Sequence, residues 1–243
     1  MRRCASVGRT LTALAALPLF CMAVTRAQAQ AAVSIDLESD YLSRGYSLSA
    51  GNPVATTDFS YNDASGAYGD IAVTVAAGPG DPHYLGLIGN LGYAHRISRV
   101  IALDGGLTRF QFHGSYPGGR PVEYTEAYVG MTMHPITARL SVSPDYLRPG
   151  AWTLYSEVEA GVSPAPNWRL SAHAGTLIYL REGAYVQGAL PPRQHYDWRL
   201  MASRQIGWFD VHAALSGSGP GEDYYQAQPH VRTRFTFGAS WSF

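Results

Sequence analysis

Cysteine, lysine and long apolar runs are what this 243-residue chain has least of. Its two cysteines, Cys4 and Cys21, lie near the amino terminus, so the rest of the chain has no means of forming a disulfide. All 18 basic residues are arginine and 18 acidic residues balance them, which excludes the basic excess of nucleic-acid-binding proteins. After residue 29 no run of about 18 apolar residues occurs, which excludes membrane-spanning helices.

The first 29 residues have the pattern of a secretory signal peptide. Three arginines precede a short apolar run at 11–24, and Ala27 and Ala29 supply the small residues that signal peptidase recognises. We therefore predict a cleaved signal peptide at 1–29 and a second unit at 30–243. Cleavage would remove both cysteines and four of the 18 arginines, leaving 14 basic against 18 acidic residues.

The final segment alternates between two faces, as a β-strand does. Apolar residues share one parity, with Thr233 as the exception, and small, polar or cationic residues share the other. The apolar set is Val231, Phe235, Phe237, Ala239, Trp241 and Phe243, and the polar set begins with Arg232 and Arg234. We predict that Trp241 and Phe243 belong to an aromatic girdle at the membrane surface. They are also expected to be the recognition signal for the machinery that assembles outer-membrane barrels.

Similar alternating runs recur along the chain, separated by breaks rich in turn residues. We place strands at 32–45, 54–61, 68–77, 84–96, 100–112, 122–133, 136–143, 151–162, 167–180, 194–204, 207–216 and 230–243. The odd-numbered breaks are long and most even-numbered breaks are short, as in transmembrane barrels with short periplasmic turns and longer extracellular loops. The predicted fold class is therefore all-β, a transmembrane antiparallel up-and-down β-barrel of about 12 strands.

A secreted β-sandwich is the alternative fold, because sandwiches also alternate polar and apolar residues. A sandwich would expose the charged face to water, whereas a barrel would turn that face toward its lumen. The residues predicted to face inward are Asp36, Glu38, Asp40, Asp104, Glu123, Arg139, Glu157, Glu159, Arg169, Arg199, Arg232 and Arg234. Charge alone does not separate the two folds, and the terminal aromatic residue and the loop lengths favour the barrel.

The first strand carries a family resemblance. Ser39-Asp40-Tyr41 is followed by Arg44-Gly45, Ser47, Ser49, Pro53 and Tyr61. This order resembles the S-D-Y-x-x-R-G-x-S pattern in the opening strand of the TorF family of proteobacterial porins. The resemblance is specific over residues 34–61, with Val54 where that family usually has alanine. It implies an outer-membrane barrel with a transport role and brings no catalytic residues.

Asp40 and Arg44 of this motif share a parity, so we expect both to face the lumen and Tyr41 to face lipid. Counting along a tilted strand places Arg44 roughly 25 Å up the wall, near the outer mouth, where Gly45 would let the strand bend. A buried arginine without a partner is costly. Arg44 is therefore expected to meet carboxylates of neighbouring strands, including the final strand.

Catalytic and metal sites have weak support in the sequence. His113 and Ser115 have the H-x-S spacing of outer-membrane lipid hydrolases, but glycines and a proline place them in a loop without a third group. The eight histidines are not spaced as metal ligands, and the glycine-rich segments lack the strand–turn–helix context of a phosphate-binding loop. We therefore expect no enzymatic activity, no metal and no cofactor.

The expected function follows from the size of the barrel. Eight strands are filled by their own side chains and 16–18 leave an aqueous channel, so about twelve should enclose a narrow lumen. We predict a porin of the Gram-negative outer membrane that passes small solutes. The alternatives are a non-conducting structural or surface-binding barrel and, third, a lipid hydrolase. Expected partners are outer-membrane lipids, lipopolysaccharide and the assembly machinery, and the sequence leaves the solute and the oligomeric state open.

Overall fold

The computed structural model of the chain describes residues 30–78, 82–113, 121–183, 194–219 and 233–243. The predicted signal peptide at 1–29 lies outside these ranges. Within them, no helix has the length and apolar character needed to cross a membrane. The described residues instead form fourteen β-strands.

Twelve of these strands close into one antiparallel barrel, and the two shortest pair as a separate hairpin. In chain order the strands are β1 (Gln30–Glu38), β2 (Leu42–Ser43), β3 (Tyr46–Ser47), β4 (Val54–Asn62), β5 (Ala67–Ala76), β6 (His83–Arg96), β7 (Ile101–Phe112), β8 (Val122–Met133), β9 (Ile136–Ser143), β10 (Ala151–Val162), β11 (Trp168–Glu182), β12 (Gln194–Ile206), β13 (Phe209–Gly219) and β14 (Arg234–Ser242). Each barrel strand pairs with its sequence neighbours, except that β1 pairs with β4 and with β14. The predicted twelve-strand up-and-down barrel is confirmed.

The outer surface of the barrel is apolar around its whole circumference. Every barrel strand contributes at least one large apolar side chain that is exposed on this surface. One from each strand is Leu37, Phe59, Ile71, Leu91, Leu107, Val129, Leu140, Val158, Leu170, Leu200, Leu215 and Phe237. A protein in water rarely exposes a continuous apolar belt of this kind, and the closed strand order excludes the sandwich alternative.

Most strand boundaries lie within two residues of the sequence prediction, and β8, β9 and β10 match it residue for residue. The prediction of one strand over 32–45 is wrong, because β1 ends at Glu38. Backbone and side-chain hydrogen bonds between Ser39 and Phe237 of β14 mark this end. The chain beyond it leaves the barrel wall and forms the β2–β3 hairpin.

The barrel closes where β1 pairs with β14, from Ser34 opposite Ser242 to Glu38 opposite Gly238. Beyond this ladder, the Phe243 amide donates to the Val33 carbonyl at 2.9 Å. The Trp241 ring lies 5.7 Å from the Phe209 ring and 5.5 Å from the Phe243 ring, both in edge-on contact. The tight turns lie at this end of the barrel, and the β2–β3 hairpin lies toward the other end, with the longer loops.

Candidate functional site

The segment 39–53 enters the barrel as a hairpin, which we call the luminal hairpin. Strands β2 and β3 pair across a two-residue turn made by Arg44 and Gly45. Both turn residues have positive φ, 48° for Arg44 and 77° for Gly45, as the favoured two-residue hairpin turns require at one or both positions. Glycine accepts this conformation without strain, whereas an arginine there must be held by its surroundings.

Asp40 organises the base of the luminal hairpin. One of its carboxylate oxygens accepts hydrogen bonds from the Ser47 hydroxyl at 2.6 Å, the Ser49 hydroxyl at 2.7 Å and the Gly51 amide at 3.2 Å. Its other oxygen is in an ion pair with Arg234 of β14. The motif's aspartate and serines therefore fold the hairpin back on itself and attach it to the wall.

Arg44 anchors the tip of the luminal hairpin to the far wall. Its guanidinium donates two hydrogen bonds to Glu126 of β8, at 2.8 and 2.7 Å, and lies 3.9 Å from the centre of the Tyr155 ring. The side chains of Arg44 and Glu126 are 12% and 4% exposed, so this is a buried, bidentate pair. The expectation that Arg44 lies on the wall near the mouth and meets neighbouring strands is wrong, because the hairpin carries it across the lumen.

Gly45 fits the lumen only without a side chain. A Cβ atom there would lie 2.2 Å from the Ser218 Cβ, and the Ser218 hydroxyl donates to the Gly45 carbonyl at 3.1 Å. The neighbouring Arg44 carbonyl is 3.0 Å from Nε2 of His195, and the His195 ring stacks on Tyr46 at 4.8 Å. The tip is therefore fixed by the backbone as well as by the Arg44 side chain.

Aromatic side chains fill the space around the luminal hairpin. The buried cluster comprises Tyr46, Leu48, Phe112, Tyr124, Tyr146, Ala151, Tyr155, Leu177 and Tyr179. Tyr41 packs against this cluster, with its ring 6.3 Å from Phe112, so the expectation that Tyr41 faces lipid is wrong. Burial raises the pKa of the Tyr41 hydroxyl to about 12, and the nearby Glu38 charge adds to the shift. The mouth half of the lumen is therefore packed and mostly apolar.

A polar cavity of about 470 Å³ lies beneath the luminal hairpin. The turn Arg44-Gly45 forms its roof, and side chains of the barrel wall form its sides. The charged and histidine side chains that line it are Arg44, Asp70, Glu126, Arg139, Glu157, Glu159, His173, Asp197 and Arg199. The two halves of the lumen thus differ sharply in chemistry.

His173 and Asp197 form a hydrogen-bonded group on the wall of the cavity. Nε2 of His173 lies 3.0 Å from an Asp197 oxygen, and the Tyr155 hydroxyl donates to the other Asp197 oxygen at 3.1 Å. Nδ1 of His173 lies 3.9 Å from Glu157. This group links the aromatic cluster above it to the charged wall below.

The structure places the predicted inward residues in different settings. Asp36 and Glu38 face the lumen from β1, and His212 Nε2 is 3.7 Å from Glu38. Asp104 pairs with Arg139 at 3.3 Å and accepts a hydrogen bond from Tyr68. Glu157, Glu159 and Arg199 line the cavity, Arg169 shares the inward face of β11 with His173, and Arg232 lies outside the described residues.

Sequence reasoning assigned β8 to the wrong face. Glu123 points outward, where it pairs with Arg109, and Glu126 points inward. Because Val129 and Met131 are exposed on the same parity as Glu123, the apolar pattern of β8 was the signal for the correct assignment. The grouping of Tyr155, His173 and Asp197 was also missed, because alternation fixes the face of each of the adjacent strands β10, β11 and β12 but not the register between them.

The residues singled out for catalysis or metal binding do not form a site in the described part of the chain. His113 follows the end of β7 and its ring packs on Tyr84 at 5.0 Å. Ser115 lies outside the described residues. Among the described residues, no group of three or more histidine, cysteine or acidic side chains is arranged to hold a metal ion.

The family is decided by a match that covers most of the chain. Residues 23–226 match the model of a family described as "Bacterial protein of unknown function (Gcw_chp)". The chain belongs to this family. The luminal hairpin lies within the matched range, and the resemblance of its motif to TorF porins stays a prediction, because the match does not carry that name. No curated protein matches the sequence of this Gcw_chp member.

Solved structures with a similar fold include porins. The NanC porin aligns with a TM-score of 0.57 at 7% identity, covering 87% of this chain and 99% of that one. The KdgM porin aligns with a TM-score of 0.52 at 12% identity and the same coverage. A second KdgM structure, titled as a complex with disordered oligogalacturonate, gives 0.53 at 11% identity, with 87% of this chain and 99% of that chain covered. At these identities the likeness shows the fold, a porin-like β-barrel.

Proposed function

We propose that this protein is an outer-membrane channel for small solutes whose lumen is narrowed by the luminal hairpin. The observation that carries the proposal is the polar cavity of about 470 Å³ inside the barrel, directly beneath the Arg44-Gly45 turn. A barrel that served only as a scaffold would gain stability from filling this space with packed side chains. The wall instead presents ionisable groups, which suit a hydrated path.

The luminal hairpin is the constriction in this proposal. It is anchored at its tip by Arg44 to Glu126 and at its base by Asp40 to Arg234. Both anchors join the hairpin to side chains of the wall, so loss of either anchor loosens the hairpin without removing a barrel strand. We expect the native hairpin to restrict passage and its release to widen the path.

Exported location and membrane partners are part of the same proposal. The pattern at 1–29 supports export, and the belt of exposed apolar residues supports insertion into the outer membrane, with lipids and lipopolysaccharide as neighbours. The exposed Phe243 next to Trp241 supports recognition by the barrel assembly machinery. The oligogalacturonate named in the KdgM title is not carried over, since 11% identity shows the fold alone.

Planar-bilayer conductance of refolded protein tests the channel. The native chain is compared with a variant in which residues 40–52 are replaced by a short Gly-Ser turn. We expect measurable conductance for the native chain and a several-fold larger conductance without the hairpin, because the cavity then opens to the mouth. The Glu123→Gln variant, whose altered charge lies on the outer wall, is the matched control and should behave as the native chain.

A non-conducting barrel is the second candidate, and the packed aromatic cluster around the hairpin favours it. In that case neither the native chain nor the hairpin-deleted variant would conduct. Absence of conductance from both proteins, with heat-modifiable mobility showing that both are folded, would overturn the channel proposal. A lipid hydrolase stays the third interpretation, and it requires loss of hydrolysis when Ser115 is replaced by alanine.

A further inference from the structure

Ion pairing removes half of the arginine charge from the inward face. On the hairpin and the inward face of the described strands, the arginines are Arg44, Arg96, Arg139, Arg169, Arg199 and Arg234. Three of them are in ion pairs: Arg44 with Glu126, Arg139 with Asp104, and Arg234 with Asp40. In the described part of the chain this leaves Arg96, Arg169 and Arg199 without a carboxylate within ion-pair distance. Each pair is neutral as a unit, so the sign of the wall is set by what remains.

What remains on the inward face is mostly carboxylate. The inward acidic residues that form no ion pair with an arginine in the described ranges include Asp36, Glu38, Asp58, Asp70, Glu157, Glu159, Asp197 and Asp210. These eight carboxylates face three arginines that lie outside ion pairs. His173 and His212 also face the lumen, and protonation of both would still leave the wall negative.

The carboxylates lie on opposite walls of the lumen. Asp36, Asp58 and Asp70 come from the adjoining strands β1, β4 and β5, and the charge of Asp58 interacts with those of the other two. Glu157 and Glu159 come from β10, which lies across the barrel in the strand order. A solute that passes beneath the hairpin is therefore exposed to negative charge from two sides.

The cavity also has a polar group with no partner. Ser216 lines it and is 4% exposed, and its hydroxyl has no hydrogen-bond partner among the described residues. A buried hydroxyl without a partner costs free energy unless a bound group satisfies it. This observation is independent of the charge distribution, and it points to a hydrated solute or ion in the cavity.

We propose that the lumen selects cations, and that its solutes are small cations, including amines, rather than anions. A narrow lumen with low-dielectric walls focuses the field of its charges and concentrates counter-ions of the opposite sign. This inference rests on the proposed channel function, and it adds the charge of the solute. The paired arginines contribute to it by holding the hairpin and the wall without reversing the sign of the lumen.

The reversal potential of the refolded full chain in a KCl gradient measures the selectivity. At about 0.1 M salt, where the Debye length is about 10 Å, we expect the permeability of K⁺ to exceed that of Cl⁻ roughly tenfold. The ratio should fall toward one at 1 M salt, because screening shortens the reach of the wall charges.

Matched variants assign the selectivity to the wall. The triple variant Asp36→Asn, Asp58→Asn and Asp70→Asn should lose most of the preference, and Arg169→Gln with Arg199→Gln should raise it. Glu123→Gln, which removes an outer-wall charge, should leave it unchanged. A conducting native channel that prefers Cl⁻, or shows no preference at low salt, overturns the inference and leaves the channel proposal standing.

A binding measurement that needs no conductance keeps the two proposals separate. Tb³⁺ is added to detergent-refolded protein, and its luminescence is excited through the luminal tyrosines, such as Tyr68 and Tyr128 near Asp70 and Asp104. We expect saturable Tb³⁺ binding that weakens at least tenfold in the triple variant. If the protein shows no conductance in bilayers but still binds Tb³⁺ as expected, the channel proposal is wrong and the inferred cation preference is supported. Equal Tb³⁺ binding by the native protein and the triple variant overturns the cation preference.

Discussion

The two halves of the lumen differ in packing: one is filled with side chains and the other encloses a polar cavity. Toward the mouth, the luminal hairpin, the aromatic cluster and the Arg44–Glu126 pair fill the space, and side chains such as Leu48 and Tyr155 are almost fully buried. Toward the turn end, the wall bears carboxylates and arginines around a cavity. The same strands contribute to both halves, so the difference arises from the inserted hairpin and from which residues meet it.

Stability depends on the packed half of the lumen, and hydration depends on the open half. A buried pair that loses one partner leaves an uncompensated charge, whereas a partly exposed pair is screened by water. Substitutions in the packed half should therefore affect folding, and substitutions in the open half should affect permeation.

Arg44→Ala should have the largest effect. It leaves Glu126 buried without a partner, which costs about 3–5 kcal/mol in the free energy of unfolding. Arg139→Ala, in the open half, removes a pair whose side chains are 35% and 15% exposed and should cost about 1 kcal/mol. Reversible urea unfolding from lipid vesicles measures both.

Arg44→Lys tests whether the positive charge alone is enough to stabilise the buried pair. Lysine keeps the charge but lacks the planar fork that donates two bonds to Glu126, so it should restore the lost stability only in part. Unchanged stability in Arg44→Ala together with altered passage of one solute class would instead make Arg44 a solute contact.

Leu170→Arg should cost more than Ser171→Arg. Leu170 is exposed on the outer apolar surface near the turn end of β11, where an arginine costs less than the roughly 2–4 kcal/mol of the membrane midplane, and Ser171 faces the lumen. The same vesicle unfolding experiment compares the two. Equal costs would contradict the assignment of faces on which both halves of the lumen depend.

Gly45→Ala should cost about 1–3 kcal/mol. Its positive φ strains a residue with a Cβ, and that Cβ would overlap Ser218. Gly161→Ala in the open half is the matched control, because a Cβ there would have its nearest contact at 3.4 Å, on the flexible Arg169 side chain. Thermal unfolding measures the stability of both variants. A similar loss of stability in the two would show that the hairpin tip can shift to accept a Cβ atom.

Deletion of Phe243 should have the smallest effect on the stability of the refolded barrel, less than about 1 kcal/mol, because the residue is 72% exposed. In cells, however, heat-modifiable protein in the membrane should decrease and periplasmic protein should accumulate. Wild-type accumulation in the membrane would refute its role as an assembly signal.

The wall of the barrel could be predicted from the sequence because it depends on local alternation. Val122–Met133 and Ile136–Ser143 were placed residue for residue, since a strand whose outer face meets lipid must keep a period of two. The alternation of long and short loops then predicted that successive strands are antiparallel neighbours. No long-range information was needed for either step.

The luminal hairpin could not be predicted, although the residues that build it were recognised as a motif. Its turn uses Arg-Gly rather than the Asn-Gly or Asp-Gly that signals a two-residue hairpin, so alternation alone continued the strand through it. The hairpin is held in the lumen by contacts with Glu126, Ser218 and Arg234, and a single sequence does not show that these distant residues lie together. The charged residues of the motif indicated that they would be buried in ion pairs, but not that the chain turns away from the barrel wall into the lumen.

The long sequence separation of the hairpin contacts has a consequence for the order of folding. Arg44 meets Glu126 across 82 residues, and Asp40 meets Arg234 across 194. Contacts of such separation form late, because the intervening chain must be ordered first. The hairpin belongs to the first part of the barrel to be synthesised, yet its docking partners are complete only when β14 has joined β1. A partly folded barrel therefore holds an undocked hairpin, and docking of Asp40 and Arg44 marks the moment at which closure is complete.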